Sequence, residues 1–135
     1  RYVRLDRHIM EYEQPTGPES QLPYVIISYG AMIHVAAKCG PVCAWGQIWP
    51  IEISTNLAFK TARLVVLEEH FATGGLGESV AAWMQDWNDH RPLLRLAIPD
   101  HYEWENGPRE YLWQRAGIDV LSVKRRIHKW LKEVP

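Results

Sequence analysis

Arg63-Leu64-Val65-Val66-Leu67-Glu68 sets four consecutive apolar residues between charged neighbours. A strand with one wet face alternates polar and apolar positions, whereas one that is apolar throughout has both faces covered, as in a parallel sheet flanked by helices. Tyr24-Val25-Ile26-Ile27-Ser28-Tyr29, stopped by Gly30, repeats the pattern upstream. A short helix over Ala31 to Lys38 is expected between them, broken by Gly40-Pro41. Val42-Cys43-Ala44-Trp45 is a second strand leading into Ile48-Trp49-Pro50-Ile51-Glu52, and Ser54 or Thr55 can cap a short helix through Lys60. Downstream, Val80, Trp83, Met84 and Trp87 recur at helical spacing within Glu78 to Trp87, with Trp83 and Trp87 expected to be largely buried, in the core or against a partner domain. Leu93 to Ile98 reads as a strand, and Pro108 to Arg115 as a helix with proline in its first turn, ended by Gly117. A last helix from Val120 to Glu133 sets Val120, Val123, Ile127, Trp130 and Leu131 against a solvated basic face of Lys124, Arg125, Arg126, Lys129 and Lys132. Strands alternating with helices predict an α/β fold: a single three-layer domain with an open, mostly parallel sheet and helices on both faces.

Composition narrows the function classes. The 135 residues are 47% hydrophobic and 23% charged, ordinary for one globular domain with a core. A net charge of -1 gives no electrostatic reason to expect nucleic acid or an anionic membrane as partner. No apolar run approaches the roughly 20 residues that span a bilayer, and Arg1 to Arg7 has no signal-peptide core, so a cytoplasmic location is expected. Cys39 and Cys43 lack the spacing of a zinc or redox pair and read as reduced, largely buried thiols. His34 lies on an apolar helix face, as a core or interface histidine does, and His8, His90, His101 and His128 show no metal-type spacing; no metal is expected in the chain. Seven tryptophans hint at a partner surface as well as a core.

Four groups of residues carry a resemblance. Tyr2-Val3-Arg4-Leu5-Asp6-Arg7 is similar to a closing strand with an R-L-x-R-like run. Ser28-Tyr29-Gly30-Ala31-Met32-Ile33-His34-Val35-Ala36 is similar to an S-Y-G-x-M-V-x-x-A element. Glu68-Glu69-His70 with Gly74-Gly75-Leu76-Gly77 is similar to E-E-H-x-x-x-G-G-L-G, and Ile98-Pro99-Asp100, Gly107, Leu112 and Gly117-Ile118-Asp119 to a concluding I-P-D…G…L…G-I-D pattern. In this order they resemble the C-terminal domain of transketolase-like, thiamine-diphosphate-dependent enzymes, of the transketolase or 1-deoxyxylulose-5-phosphate synthase type. Two departures stand out. The stretch from Ala36 to Trp49-Pro50 is shorter than the family pattern and Pro50 to Thr61 is clipped, while Ala44-Trp45-Gly46-Gln47 replaces a polar D-L-R-type run.

The resemblance implies residues 1–22 as the end of a preceding pyrimidine-binding domain plus a linker, and 23–135 as the C-terminal domain; Tyr2 to Leu5 are then expected to lack sheet neighbours in this chain and to be disordered, paired across a dimer or docked on a missing subunit. It implies an enzyme that transfers two-carbon ketol units or condenses a 2-oxoacid with a sugar phosphate. Thiamine diphosphate and Mg²⁺ would then be bound by domains absent from this chain, since no G-D-G…N cluster is present. The chain alone is expected to be inactive, with no catalytic residue of its own, and to pack against the remaining domains or subunit as a homodimer or larger complex. Arg7 corresponds to an arginine near the substrate's phosphate end, a place suited to bidentate donors; otherwise it is a surface arginine in a linker. Gly74, Gly75 and Gly77 lack the spacing of a nucleotide cradle and read as a turn that lets a helix pack closely. Glu68 and Glu69, adjacent in a strand, point to opposite faces and so form no acid/base dyad. With His70 and the three glycines they are expected at interdomain or dimer contacts. A diverged, non-catalytic interaction module of the same fold, and a stand-alone small-molecule-binding domain, are the alternatives.

Overall fold

A computed structural model describes residues 3–6, 9–12, 23–46 and 63–135. In chain order the elements are β1 (Val3–Asp6), β2 (Ile9–Tyr12), β3 (Val25–Ser28), α1 (Met32–Ala37), β4 (Val42–Trp45), β5 (Leu64–Phe71), α2 (Leu76–Asp86), β6 (Leu93–Ile98), α3 (Arg109–Ala116) and α4 (Val120–Glu133). The expected helix ending at Lys60, the Ile48–Glu52 segment and Arg7 lie outside the described residues.

One six-stranded sheet runs β1-β2-β4-β3-β5-β6. Its β4-β3-β5-β6 part is parallel, with Val25 opposite Leu64 and Leu64 opposite Leu93. Strand residues alternate between two cores, which explains their unbroken apolar runs. Val25, Ile27, Leu64 and Val66 meet Leu76, Val80, Trp83 and Met84 of α2. On the other face Ile26, Val65, Leu67 and Leu96 meet Met32 and Val35 of α1, and Val123 and Ile127 of α4. Helices therefore cover both faces, as the sequence requires. Each such side chain, fully buried, contributes about 1.5–3 kcal/mol of transfer free energy.

Four details differ from expectation. Leu5 and its neighbours, expected to lack sheet partners, sit in β1, which pairs antiparallel with β2; β2 in turn adds antiparallel to β4, Ile9 opposite Trp45. Strand β2 falls within a stretch that had read as linker, because a four-residue Ile-Met-Glu-Tyr run has no period of its own and gains its partner from the open edge of β4. Trp87, expected with Trp83 in the core or against a partner domain, lies outside the core: it is 72% exposed against 8% for Trp83, because α2 ends at Asp86 and Trp87 turns away as its C-cap. His34, expected in the core or at an interface, is not in the core: it is exposed, since α1 is only six residues long and turns Met32, Val35 and Ala36 to the sheet.

Candidate functional site

The carboxyl ends of the parallel strands gather the motif residues, the edge at which open α/β sheets place ligands. On β3, the Ser28 hydroxyl donates to the Leu67 carbonyl at 2.8 Å, tying the ends of β3 and β5 together. Gly30 then adopts φ +59°, a left-handed conformation that releases the chain into α1.

Strand β5 continues to Phe71, so the acidic pair is still extended when it reaches the edge and its side chains diverge. Glu68 is completely buried on the α2 face. Its two carboxylate oxygens accept the first amides of α2, Leu76 N–H at 2.7 Å and Gly77 N–H at 2.9 Å. Those amides have no partner within their own helix, and the helix dipole favours negative charge there. Strand β5 thus caps α2 from outside, and Glu78 completes the turn by accepting the Gly74 amide at 2.6 Å.

The glycines follow from this clamp. Gly74 adopts φ +76°. A Cβ on Gly75 would lie 2.7 Å from Glu68 Cδ and 2.8 Å from the Phe71 carbonyl oxygen, so no side chain fits. A Cβ on Gly77 would lie 2.8 Å from Arg95 Nε and 3.0 Å from Glu68 Oε1. Arg95 itself donates from Nη2 to the Ala72 carbonyl, closing the loop from the β6 side.

Glu69 faces α3. It pairs with Arg109 through both carboxylate oxygens and accepts the Trp113 indole N–H at 2.8 Å, while the Arg109 guanidinium lies 5.2 Å from the Trp113 ring centre. The Arg109 hydrogen bond, helped by Trp113 and opposed by partial burial, holds the Glu69 carboxyl below its ordinary range. Helix α3 has no fully buried residue, so this polar attachment supplements the partial packing of Trp113 on the second core. Tyr29 stands beside the pair; burial, then the charges of Glu68 and Glu69, push its phenol up, so it stays protonated. The His70 ring is exposed, with Nδ1 2.9 Å from the Phe71 carbonyl oxygen.

Beyond β6, a Cβ on Gly107 would meet the Tyr111 ring, Gly117 ends α3 at φ +71°, and Ile118 is fully buried. Asp119 caps α4 by accepting from the Leu121 and Ser122 amides at 3.1 and 3.3 Å. The intervening loop exposes Tyr102 and Trp104, whose rings are 4.3 Å apart, and is held to α3 by Arg115 bridging Glu103 and Glu105. Sequence reasoning missed this aromatic pair; the signal available was two aromatics two residues apart in a segment without helical or strand periodicity.

Chemically the edge is a joint. Both oxygens of Glu68 are spent on backbone amides, Glu69 is ion-paired, and the two carboxylates stand on opposite faces. A diphosphate would need amides such as those of Leu76 and Gly77, and Glu68 occupies them with like charge, so these residues do not fit thiamine diphosphate. Among the described residues, no group of three or more His, Cys, Asp or Glu is placed to hold a metal ion.

Residues 44–123 match the family described as the C-terminal domain of transketolase. The 1-deoxy-D-xylulose-5-phosphate synthase of Saccharophagus degradans is 34% identical over 87 residues, 64% of this chain and 13% of the relative. That of Alcanivorax borkumensis is 28% identical over 117 residues, 82% of this chain and 18% of the relative. The chain therefore spans less than a fifth of the length of these curated relatives. A solved structure described as a split-gene transketolase, inactive beta4 tetramer, superposes with a TM-score of 0.69 at 22% identity, covering 81% of this chain and 39% of that one.

Proposed function

Because the chain belongs to the transketolase C-terminal domain family, we propose that it completes a thiamine-diphosphate-dependent enzyme of the 1-deoxyxylulose-5-phosphate synthase or transketolase type, by packing and association rather than by binding the cofactor. The synthase relatives favour condensation of a 2-oxoacid with a sugar phosphate. The observation that carries the packing role is the Glu68 clamp: the one motif resembling a phosphate turn is closed by the chain's own carboxylate. When bound elsewhere in the enzyme, thiamine diphosphate would supply carbanion stabilisation. This chain's residues supply a rigid block whose loop edge, with Glu69, His70, Trp104 and the glycine turn, faces the neighbouring domains or a second copy.

Residues 23–135 form the domain in this reading, residues 1–22 are the end of the preceding one plus a linker, and Arg7 takes the role of the arginine that serves the substrate's phosphate end. A homodimer or larger complex follows, in keeping with the tetramer described for the split-gene neighbour. A cytoplasmic location belongs to the same proposal; no helix among the described residues is long and apolar enough to cross a membrane.

The test mixes the chain with the Saccharophagus synthase truncated before its own C-terminal domain. Light scattering should show a complex, and deoxyxylulose-phosphate formation should rise above that of the truncated enzyme alone. Calorimetric titration of the isolated chain with thiamine diphosphate and Mg²⁺ should be flat. Micromolar cofactor binding by the chain, or no association with the truncated enzyme and none with itself, would overturn the proposal.

A further inference from the structure

A concave surface lies away from the glycine turn. Tyr24, which leads into β3, and Cys39, which follows α1, face α4 across a groove of about 550 Å³, within the range typical of small-molecule sites. Ile127 and Leu131 form its α4 wall, and Lys124, Arg125 and His128 project from the same helix along it.

The floor is apolar because its polar atoms are already satisfied. The Tyr24 hydroxyl donates to the Cys39 carbonyl at 2.9 Å, and the Cys39 thiol lies 3.7 Å from the Val120 carbonyl, to which it donates. Burial pushes the Cys39 thiol up, outweighing Lys124 beside it, so the sulfur is a neutral packing group and not a nucleophile. The rim has the opposite character. Among the described residues, Lys124, Arg125 and His128 form no ion pair, whereas Lys129, one residue beyond the groove, is paired with Glu133. Asp119, which heads the helix, accepts the Leu121 and Ser122 amides through Oδ2 and is not among the residues that line the groove. No acidic side chain is among the described residues that line the groove.

An apolar trough bordered by basic side chains that form no ion pair among the described residues suits a ligand that is apolar along its body and negative at its end. We propose that this groove binds an organic anion with a short acyl or aryl body, the body lying against Tyr24, Ile127 and Leu131 and a carboxylate or phosphate head held by Lys124 and Arg125. Lys124 and Arg125 are exposed, and neither contributes to the cores, so their removal leaves the fold intact.

The experiment titrates the isotope-labelled 135-residue chain with four probes while recording methyl and amide spectra: octanoate, octyl phosphate, octanol and inorganic phosphate. Octanoate or octyl phosphate should shift the Ile127 and Leu131 methyl signals saturably, and the tighter of the two names the head group. Octanol should bind at least tenfold more weakly, and inorganic phosphate should leave the methyl signals in place. In the double variant Lys124→Ala, Arg125→Ala the octyl anions should lose at least tenfold in affinity, with octanol binding and the urea midpoint unchanged. Equal binding of octanol and the anions, full affinity in the double variant, or no shift at Ile127 and Leu131 with either anion would each overturn the proposal. The outcome is separate from cofactor binding and from assembly with other domains, which act at the opposite edge of the sheet.

Discussion

Replacing Glu68 tests the joint at the carboxyl edge directly. Glu68→Ala strips the acceptors from the Leu76 and Gly77 amides, both of which are buried. Each orphaned donor costs about 1–3 kcal/mol, giving roughly 2–6 kcal/mol together. Removing a buried carboxylate also relieves its own desolvation, which places the expected net loss near the middle, about 3–4 kcal/mol. Against a typical domain stability of about 5–15 kcal/mol, that is a large fraction. Glu68→Gln keeps the shape but turns an NH₂ group toward one of the two amides, so one donor is orphaned and about 1–3 kcal/mol is lost. Urea unfolding followed by circular dichroism measures both values, and amide hydrogen exchange should accelerate specifically at Leu76 and Gly77. A loss below about 1 kcal/mol for Glu68→Ala, with unchanged exchange at those amides, would refute the clamp as the element that fixes α2 to β5.

The remaining predictions follow from the same geometry. Trp83→Ala should cost about 3–5 kcal/mol because Trp83 fills the first core, while Trp87→Ala, on an exposed ring, should stay within about 0.5 kcal/mol in urea unfolding of the isolated chain. Gly117→Ala should cost about 1–2 kcal/mol, from the left-handed backbone alone, since only Arg126 Nη1, at 3.9 Å, comes near the added carbon; Gly77→Ala should cost more by the same assay, because its carbon meets both Arg95 and Glu68. Glu69 is held below its ordinary range by Arg109 first, so its contribution is complete above its unfolded pKa of about 4.3 and is lost as pH falls through its lower folded value. Urea midpoints measured from neutral pH down through that range should show a shallower acid-side decline for Glu69→Gln than for the parent; identical slopes would remove Glu69 from the acid response.

What could be read from the chain was what local pattern dictates. The parallel strands β3, β4 and β5 announce themselves because burial on both faces leaves no polar alternation, and α4 because the apolar spacing from Val120 to Leu131 marks its face. The divergence of Glu68 and Glu69 followed from strand geometry alone. Their partners did not, because Glu68 reaches amides eight and nine residues on and Glu69 reaches side chains 40 and 44 residues away, separations at which sequence spacing carries no distance information. Strand β2 was illegible for a related reason: its four residues extend because an open edge on β4 accepts them. The glycine turn shows where the two kinds of information meet. Gly74, Gly75 and Gly77 look alike in sequence, yet the first answers to a dihedral angle and the other two to the approach of a carboxylate and a guanidinium from other strands. The closure of that turn by Glu68, invisible until both strand and helix are in place, is what separates a structural joint from a phosphate cradle.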